Sequence, residues 1–219
     1  FSLGMLLPTM GENLPLDYAE MGFISTGNFI GYTIGVISAV SIVNLIGERW
    51  VIAGGLMVVA LSLLVVSQTT GFYSLLAIYS ITGLAGGCAN VTGLGLVNHW
   101  FNRQLRGRAA GFQVSGSSFA IIFAGLVLPH INLAFDPDGW RHGWMLLGSI
   151  SIFGALLAGI FLRNRPEDIG RDPAGASEIS LGNQAWGHPG RRIVAHLSTI
   201  YFFFGMTYSV YVTFMVTSL

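Results

Sequence analysis

Long apolar stretches separated by short polar segments run through the chain from end to end. A helix needs about 20 apolar residues to cross the hydrocarbon core of a membrane, and seven stretches are candidates. They are Phe1–Met10, Met21–Ile46, Val51–Ser67, Phe72–Val97, Ala109–Leu128, Gly143–Leu162 and Ile193–Leu219. They lack the strict apolar–polar alternation of barrel strands, and a lipid-exposed backbone must satisfy its own hydrogen bonds. The pattern therefore predicts an all-α membrane protein.

The two outermost stretches predict helices that the sequence contains only in part. The first stretch ends near Pro8, and the last is still apolar at Leu219. We interpret the chain as a piece of a longer polypeptide, with a truncated first helix and an incomplete seventh helix.

Composition supports a membrane protein and excludes several other classes. Of the 219 residues, 53% are hydrophobic and 9% are charged, against about 25% charged in a typical soluble domain. Ten cationic residues, all of them arginine, balance ten acidic ones, so we expect no nucleic-acid partner. The single cysteine, Cys88, excludes a disulfide framework and is expected to be a small core residue. We predict no metal, no cofactor and no enzymatic role.

Arginine and tryptophan mark the boundaries of the predicted membrane. The connections on one side carry nine of the ten arginines: Arg49, Arg103, Arg106, Arg108, Arg163, Arg165, Arg171, Arg191 and Arg192. The opposite connections carry Arg141 and several acidic residues. The positive-inside rule puts the nine in the cytoplasm, which predicts a multi-pass protein of the cell inner membrane. Trp100, Trp140 and Trp144 flank spans and predict an aromatic belt in contact with the lipid bilayer.

Neutral polar side chains, rather than Asp, Glu, Lys or Arg, occupy the middle of the predicted spans. Our candidates for binding a small-molecule substrate are Asn28, Tyr32, Asn90, Gln113, Ser117, Tyr208 and Tyr211. The three amides are the most costly to bury, so each either lines a wet cavity or bonds to another helix. The two later tyrosines either line a pore or anchor packing. Intramembrane carboxylates often carry protons. A coupling ion such as a proton is therefore a candidate partner, and we expect the carboxylate that binds it in another part of the polypeptide.

Small residues recur at every fourth position in three of the predicted helices. The sets are Gly27, Gly31 and Gly35; Gly83 and Gly87; and Gly107, Gly111 and Ser115. Small residues at this spacing let helix backbones approach closely in lipid. The stripes therefore predict either static close packing or smooth faces along which two bundles move during alternating access.

Several short motifs, in order along the chain, resemble the major facilitator superfamily. They are Leu7-Pro8, Ala19–Gly22 and Asn28–Tyr32; then Trp100-Phe101, Arg106–Gly111 and Ser115–Ser117; then Gly139–Arg141 and Leu162–Gly170. The middle group is similar to the connection between the fourth and fifth helices of monocarboxylate-type and oxalate/formate-type members. The chain is also similar to bacterial cyanate and organic-anion permeases.

The resemblance implies twelve helices in two six-helix halves. Residues 1–162 would be the six-helix N-terminal bundle, with its first helix truncated. Residues 163–192 would be a cytoplasmic linker, and residues 193–219 the start of the C-terminal bundle with part of the seventh helix. The implied function is secondary active transport of a small polar or organic-anion solute by alternating access, with the substrate near the midplane.

The chain also differs from the family pattern at particular positions. After the second helix the family usually carries Asp and Arg, where this chain has Asn44 and Leu45; only Gly47 clearly matches. Tyr79 stands where an arginine is often found early in the fourth helix. The Gly-Pro antiporter motif of the fifth helix is absent from the sequence, which argues against drug export.

Two other classes fit parts of the pattern. A seven-helix membrane receptor matches the number of spans, but the glycine stripes and the Arg-Gly-Arg connection suit a transporter better. An intramembrane hydrolase would need a nucleophile and a base such as Ser117 and His130, which lie far apart along one predicted helix. A channel is similarly disfavoured, because the sequence has no ring of charge or filter-like loop. A second six-helix unit downstream would exclude both the receptor and the channel.

Overall fold

The apolar stretches fold as helices in a computed structural model, which describes residues 2–14, 16–170 and 174. The helices are α1 (Ser2–Asn13), α2 (Tyr18–Ile46), α3 (Glu48–Val66), α4 (Phe72–Trp100), α5 (Arg106–Ala134) and α6 (Gly139–Phe161), followed by a 3₁₀ turn at Pro166–Ile169. The all-α prediction is confirmed.

Helices α2 to α6 are each long and apolar enough to cross a membrane. They correspond to the second to sixth predicted spans, and most begin or end a few residues outside the apolar stretch. Helix α1 is 12 residues long where it is described. The predicted seventh span lies outside the described residues, and of the predicted linker, 163–192, only residues 163–170 and 174 are described.

Local chemistry fixes both ends of α2. At its start, the Asp17 carboxylate accepts the backbone N–H of Tyr18 at 2.7 Å, and Glu20 reaches back to the backbone N–H of Asp17 at 3.0 Å. This is a capping box. At its end, Gly47 has a φ of 83°, which side-chain-bearing residues rarely adopt. The Asn164 side chain lies against this glycine, so the α2–α3 turn is also closely covered.

Helices α2 and α4 pack so closely that glycines of each helix lie against the backbone of the other. A Cβ added at Gly31 would collide with the backbone of Ser80 and Leu84, and one at Gly83 would collide with the backbone of Asn28. The contact is reciprocal, because each helix offers its small residues to the other. Direct backbone approach is what small residues at this spacing permit.

The glycine stripe of α5 does not make the same kind of contact. A Cβ added at Gly107 or Gly111 would meet no atom within 4 Å among the described residues. For this third stripe, the alternative of static close packing is therefore wrong within the described part of the chain, and the alternative of a smooth face between moving bundles stays a prediction. Small residues at every fourth position show where another helix can pack closely. Whether one does depends on which helices are neighbours in the fold.

Trp140 and Trp144 belong to the protein core and not to an aromatic belt. Both are fully buried in the cluster around the start of α6. The Trp144 ring packs edge-on against Tyr79 of α4, and its indole N–H donates to the Met10 sulfur of α1 at 3.4 Å. The belt interpretation is wrong for these two residues, because position at a span end does not say whether lipid or another helix covers the ring.

The helix ends gather into two sets at opposite ends of the bundle. At the Arg-rich end, Arg49 bonds the Gly159 carbonyl, and the Trp100 indole N–H donates to the Arg163 carbonyl at 3.1 Å. At the other end, Arg141 donates to the Ser67 carbonyl at 2.6 Å. These contacts join α3, α4 and α6 in the alternating order predicted from the arginine pattern.

Candidate substrate-facing site

Asn28 lies on α2 at its contact with α4. Its side-chain amide donates to the Tyr79 carbonyl at 2.8 Å, and the residue is half-buried. This bond falls within the first third of α4, beside the buried Tyr79–Trp144 contact. Of the two roles predicted for Asn28, the structure gives it a hydrogen bond between helices.

Tyr32 and Asn90 form a second polar bridge between α2 and α4. The Asn90 amide donates to the Tyr32 hydroxyl at 3.2 Å. Tyr32 is one turn beyond Asn28 and lies about 21 Å from the start of α2, so it is near the middle of that helix. Both residues are exposed in the described bundle, Tyr32 by 37%. The pair therefore joins two helices and still presents polar atoms outside their contact.

Gln113 connects α5 to the same helix, one turn beyond Asn90. With its amide oriented to satisfy both atoms, its nitrogen donates to the Gly93 carbonyl and its oxygen accepts the Leu94 N–H, each at 3.2 Å. The residue is half-buried. Gly93 permits this approach because it has no side chain between the two helices. Gln113 thus also forms a bond between helices.

Ser117 follows Gln113 by one helical turn, so the two share a face of α5. It is exposed. The remaining two candidates, Tyr208 and Tyr211, lie outside the described residues. Of the five described candidates, the structure joins Tyr32 to Asn90 and brings Gln113 to the next turn of α4. Asn28 bonds to α4 at Tyr79, nearer the start of that helix.

The described geometry argues against a nucleophile–base pair on α5. Ser117 and His130 are 13 positions apart in one continuous helix, which separates them by about 20 Å along its axis. The imidazole of His130 is engaged with the Leu126 carbonyl at 2.7 Å. Hydrogen-bond reach between nucleophile and base is about 3 Å, so these residues cannot act on one another.

Two charged contacts escaped the sequence interpretation. At the Arg-rich end, the Glu48 carboxylate lies 3.0 Å from His99 Nε2. At the other end, the Arg141 guanidinium reaches the carbonyls of Ser67 and Thr69 and the Asp138 carboxylate. A signal for the first contact was present, because Glu48 is the first residue of α3 and His99 is in the last turn of α4. The first turn of a helix suits an acidic residue and the last turn suits a basic residue, because of the helix dipole.

Comparison with known proteins gives the same family as the motifs. The sequence pattern of the Major Facilitator Superfamily matches residues 1–219. The chain is 28% identical over 189 residues to the hexuronate transporter of Bacillus subtilis (strain 168), covering 84% of this chain and 43% of the relative. It is 24% identical over 164 residues to the probable L-galactonate transporter of Escherichia coli (strain K12), covering 75% and 36%. It is 25% identical over 190 residues to Monocarboxylate transporter 11 of Homo sapiens, covering 82% and 38%.

The chain spans less than half the length of these curated relatives. The match nevertheless covers the whole sequence, and the five long apolar helices agree with it. The protein is a multi-pass membrane protein, and its described helices match the N-terminal helical bundle of that superfamily. The chain belongs to the Major Facilitator Superfamily.

Proposed function

We propose that this chain is the N-terminal part of a secondary active transporter that moves a small organic anion by alternating access. The observation that carries the proposal is the family match over residues 1–219, together with relatives that are named as transporters. Transport, and not catalysis, is therefore the activity to test. The seven-helix receptor is not favoured, because the match is to a transporter family.

The names of these relatives support a substrate class. Hexuronate, L-galactonate and monocarboxylates are all organic anions that carry a carboxylate, and the first two also carry several hydroxyls. Neutral hydroxyl and amide groups hydrogen-bond such hydroxyls well. We therefore propose a small carboxylate as substrate, with a proton as the candidate coupling ion.

The binding surface that we propose centres on Tyr32 and Asn90. These groups are exposed at mid-helix on two helices held at backbone contact. Ser117 would add a polar group from α5, and Asn28 would support the site from the next turn of α2. Gln113 would hold α5 against α4 beside the site through its bonds to Gly93 and Leu94. Tyr208 and Tyr211 would contribute from the second half. A substrate that bonds to the Tyr32 hydroxyl or the Asn90 carbonyl oxygen would be held near the midplane, where superfamily-type transporters bind their cargo.

The division of the chain and its orientation belong to the same proposal. Residues 1–162 would form the N-terminal bundle, residues 163–192 a cytoplasmic linker and residues 193–219 the start of the C-terminal bundle. The Arg-rich end would face the cytoplasm by the positive-inside rule. Two of the three relatives above are bacterial, and the membrane that we propose is the bacterial inner membrane.

The decisive experiment is uptake by the full-length protein in proteoliposomes. Labelled glucuronate, galactonate and lactate would be supplied with and without an inward proton gradient. We expect saturable uptake of at least one carboxylate, and a faster rate with the gradient. Saturable uptake that ignores the gradient would remove the proton from the proposal, and no uptake of any carboxylate would remove the substrate class.

The residue assignments need matched variants in the same assay. Asn90→Leu and Gln113→Leu should weaken substrate binding while membrane expression is retained. Asn98→Leu is the control, because Asn98 is exposed near the Arg-rich end of α4, away from the midplane. Transport that is unchanged in both Asn90→Leu and Gln113→Leu would contradict the proposed binding surface.

A further inference from the structure

An open groove lies between the Arg-rich ends of α3, α4, α5 and α6. Its volume is about 300 Å³, and its walls include Ile52, Leu96, Val97, Phe101, Gln113 and Leu162. That volume is at the lower end of the range for ligand pockets. The groove therefore has room for one slender apolar group.

The polar side-chain groups in the wall are already engaged. The Gln113 amide is bonded to the α4 backbone at Gly93 and Leu94. The Trp100 indole, which also lines the groove, donates to the Arg163 carbonyl at 3.1 Å. With these groups satisfied, the wall offers hydrocarbon surface. A hydrocarbon chain fits it better than a polar solute does.

A fixed arginine lies beside the groove. The Nε of Arg106 donates to the carbonyl of Phe101, a wall residue, at 2.9 Å, and its Nη2 donates to the Asn98 carbonyl at 3.0 Å. These bonds use two of the five N–H donors of the guanidinium, and the side chain is exposed. The fork is therefore held in position with donors left for an anion.

The surrounding charge is predominantly positive. Arg103 and Arg108 flank Arg106, and the sequence contains no Asp or Glu between Glu48 and Asp136. Glu48 lies 3.0 Å from His99, and Glu167 and Asp168 follow α6. These three acidic residues are outnumbered at this end by six arginines: Arg49, Arg103, Arg106, Arg108, Arg163 and Arg165. A ligand with an apolar tail and an anionic head matches this combination, and basic pockets between membrane helices are known to hold such lipids.

We propose that the groove binds one acyl chain of an anionic phospholipid whose phosphate lies against Arg106. The hydrocarbon occupies the space beside Val97 and Leu162, and the guanidinium bonds the phosphate oxygens. This inference does not depend on transport or on which solute is carried.

Native mass spectrometry of the full-length protein in detergent tests the proposal. The probes are dioleoylphosphatidylglycerol, dioleoylphosphatidylcholine and the soluble headgroup analogue glycerol 3-phosphate. One well-placed cation near a lipid surface is worth about a fivefold preference, so phosphatidylglycerol should bind about fivefold more tightly than phosphatidylcholine. Arg106→Gln should remove that preference, and Val97→Phe should weaken the binding of both lipids by filling the groove.

Two matched controls separate this site from general lipid contact. Arg108→Gln makes the same change in net charge without altering a residue that bonds a groove wall. Val40→Phe enlarges an exposed valine of α2 that does not line the groove. Both controls should bind lipid like the unmodified protein. If Arg106→Gln cannot be purified, the comparison of Val97→Phe with Val40→Phe decides the question.

Three results would overturn the proposal. Equal binding of the two lipids would remove the role of Arg106. Glycerol 3-phosphate that binds as tightly as phosphatidylglycerol would show a site for free phosphate without an acyl chain. Controls that lose as much binding as Arg106→Gln and Val97→Phe would show general contact with the lipid shell.

Discussion

The amides inside the bundle differ in how much hydrogen-bonding capacity they have left for a solute. Asn28 is half-buried and donates to the Tyr79 carbonyl. Asn90 is exposed, and its donor goes to the Tyr32 hydroxyl. A hydroxyl can both accept and donate, so Tyr32 can keep its bond to Asn90 while its own proton reaches another acceptor. A carboxylate is such an acceptor, which makes Tyr32 the residue most suited to contact the proposed substrate.

Replacing Tyr32 with Phe tests that role. The change removes the hydroxyl but keeps the ring, so packing between α2 and α4 should persist. Losing one hydrogen bond of about 1 kcal/mol should raise KM for the proposed carboxylate substrate about fivefold, as measured by uptake in proteoliposomes. Tyr73→Phe is the control, because Tyr73 is 82% exposed at the start of α4. Equal KM values for the two variants would exclude substrate contact by Tyr32.

Arg141 is predicted to stabilise the end opposite the Arg-rich end. Its guanidinium bonds two carbonyls after α3 and the Asp138 carboxylate, and it lies 4.2 Å from the Trp140 ring centre. Bonds from a charged donor are worth about 2 kcal/mol, so Arg141→Gln should lower the thermal unfolding midpoint of the purified protein. Arg141→Lys should not restore it, because the guanidinium bonds the Asp138 carboxylate through Nε and the two carbonyls through Nη1, and one compact ammonium cannot reach both groups.

The control for this prediction is Arg108→Gln, which makes the same charge change at an exposed position. Its unfolding midpoint should stay close to that of the unmodified protein. If Arg141→Gln has the same midpoint as Arg108→Gln, the contacts of Arg141 do not contribute to stability.

At the scale of the element, α2 and α4 behave as one packed unit. Gly31 and Gly83 each meet the backbone of the other helix, and backbone cannot move aside as the end of a flexible side chain can. Separation of the two helices would also break the Asn28 and Tyr32 bridges. We therefore expect the pair to move together in the proposed transport cycle.

Gly31→Ala measures how tight this contact is. The added methyl meets the backbone of Ser80 and Leu84, and overpacking of this kind costs about 1–3 kcal/mol. We expect a lower thermal unfolding midpoint. The larger Gly31→Leu should also abolish transport, and a fully active Gly31→Leu protein would contradict close packing of the two helices.

Gly22→Ala is the matched control on the same helix. An added Cβ at Gly22 meets nothing within 4 Å among the described residues. Alanine favours helix over glycine by about 1 kcal/mol, so this variant should be as stable as the unmodified protein or slightly more stable. A similar loss of stability in both variants would point to the helix backbone, not to the contact with α4.

The helices themselves could be predicted from the sequence, while their ends could not. An apolar run shows which residues lie in hydrocarbon, but helical hydrogen bonding continues into the polar boundary. For this reason α5 begins at Arg106, three residues before the predicted span, and α6 begins at Gly139, four residues before its span. Arginine tolerates these positions because its stem can lie along the helix while its charge stays in water.

Contacts between helices were only partly predictable. Gly31 and Gly83 have no side chains, so close approach was the natural expectation for their stripes. Trp144 and Arg141 gave no such signal, because burial of a tryptophan and capping of distant carbonyls depend on which helices are neighbours. For Asn28, Asn90 and Gln113 the sequence indicated that partners were needed, but only the structure identifies Tyr79, Tyr32 and Gly93.

At the scale of the whole molecule, the two ends of the bundle differ strongly in charge. Among the described residues, Arg49, Arg103, Arg106, Arg108, Arg163 and Arg165 gather at one end. Arg141 lies at the other end together with Asp17, Glu20, Asp136 and Asp138. This asymmetry gives the proposed orientation a direct test.

A protease site inserted after Gln104 should be protected in intact spheroplasts, and one inserted after Asp136 should be cut. Both positions are exposed and lie in connections between helices, so each insertion should be tolerated. The positive-inside rule requires the first to face the cytoplasm. Cleavage after Gln104 with protection after Asp136 would reverse the orientation, whereas the helix packing would be unaffected.

Cys88 lies where its reactivity can report on the contact between α2 and α4. Its thiol donates to the Gly35 carbonyl at 3.2 Å, lies 3.8 Å from the Ser38 hydroxyl and is only 4% exposed. A thiol-reactive dye can reach this sulfur only after the two helices part. The rate at which the dye labels the native cysteine would therefore measure how often the two helices separate, without any engineered cysteine.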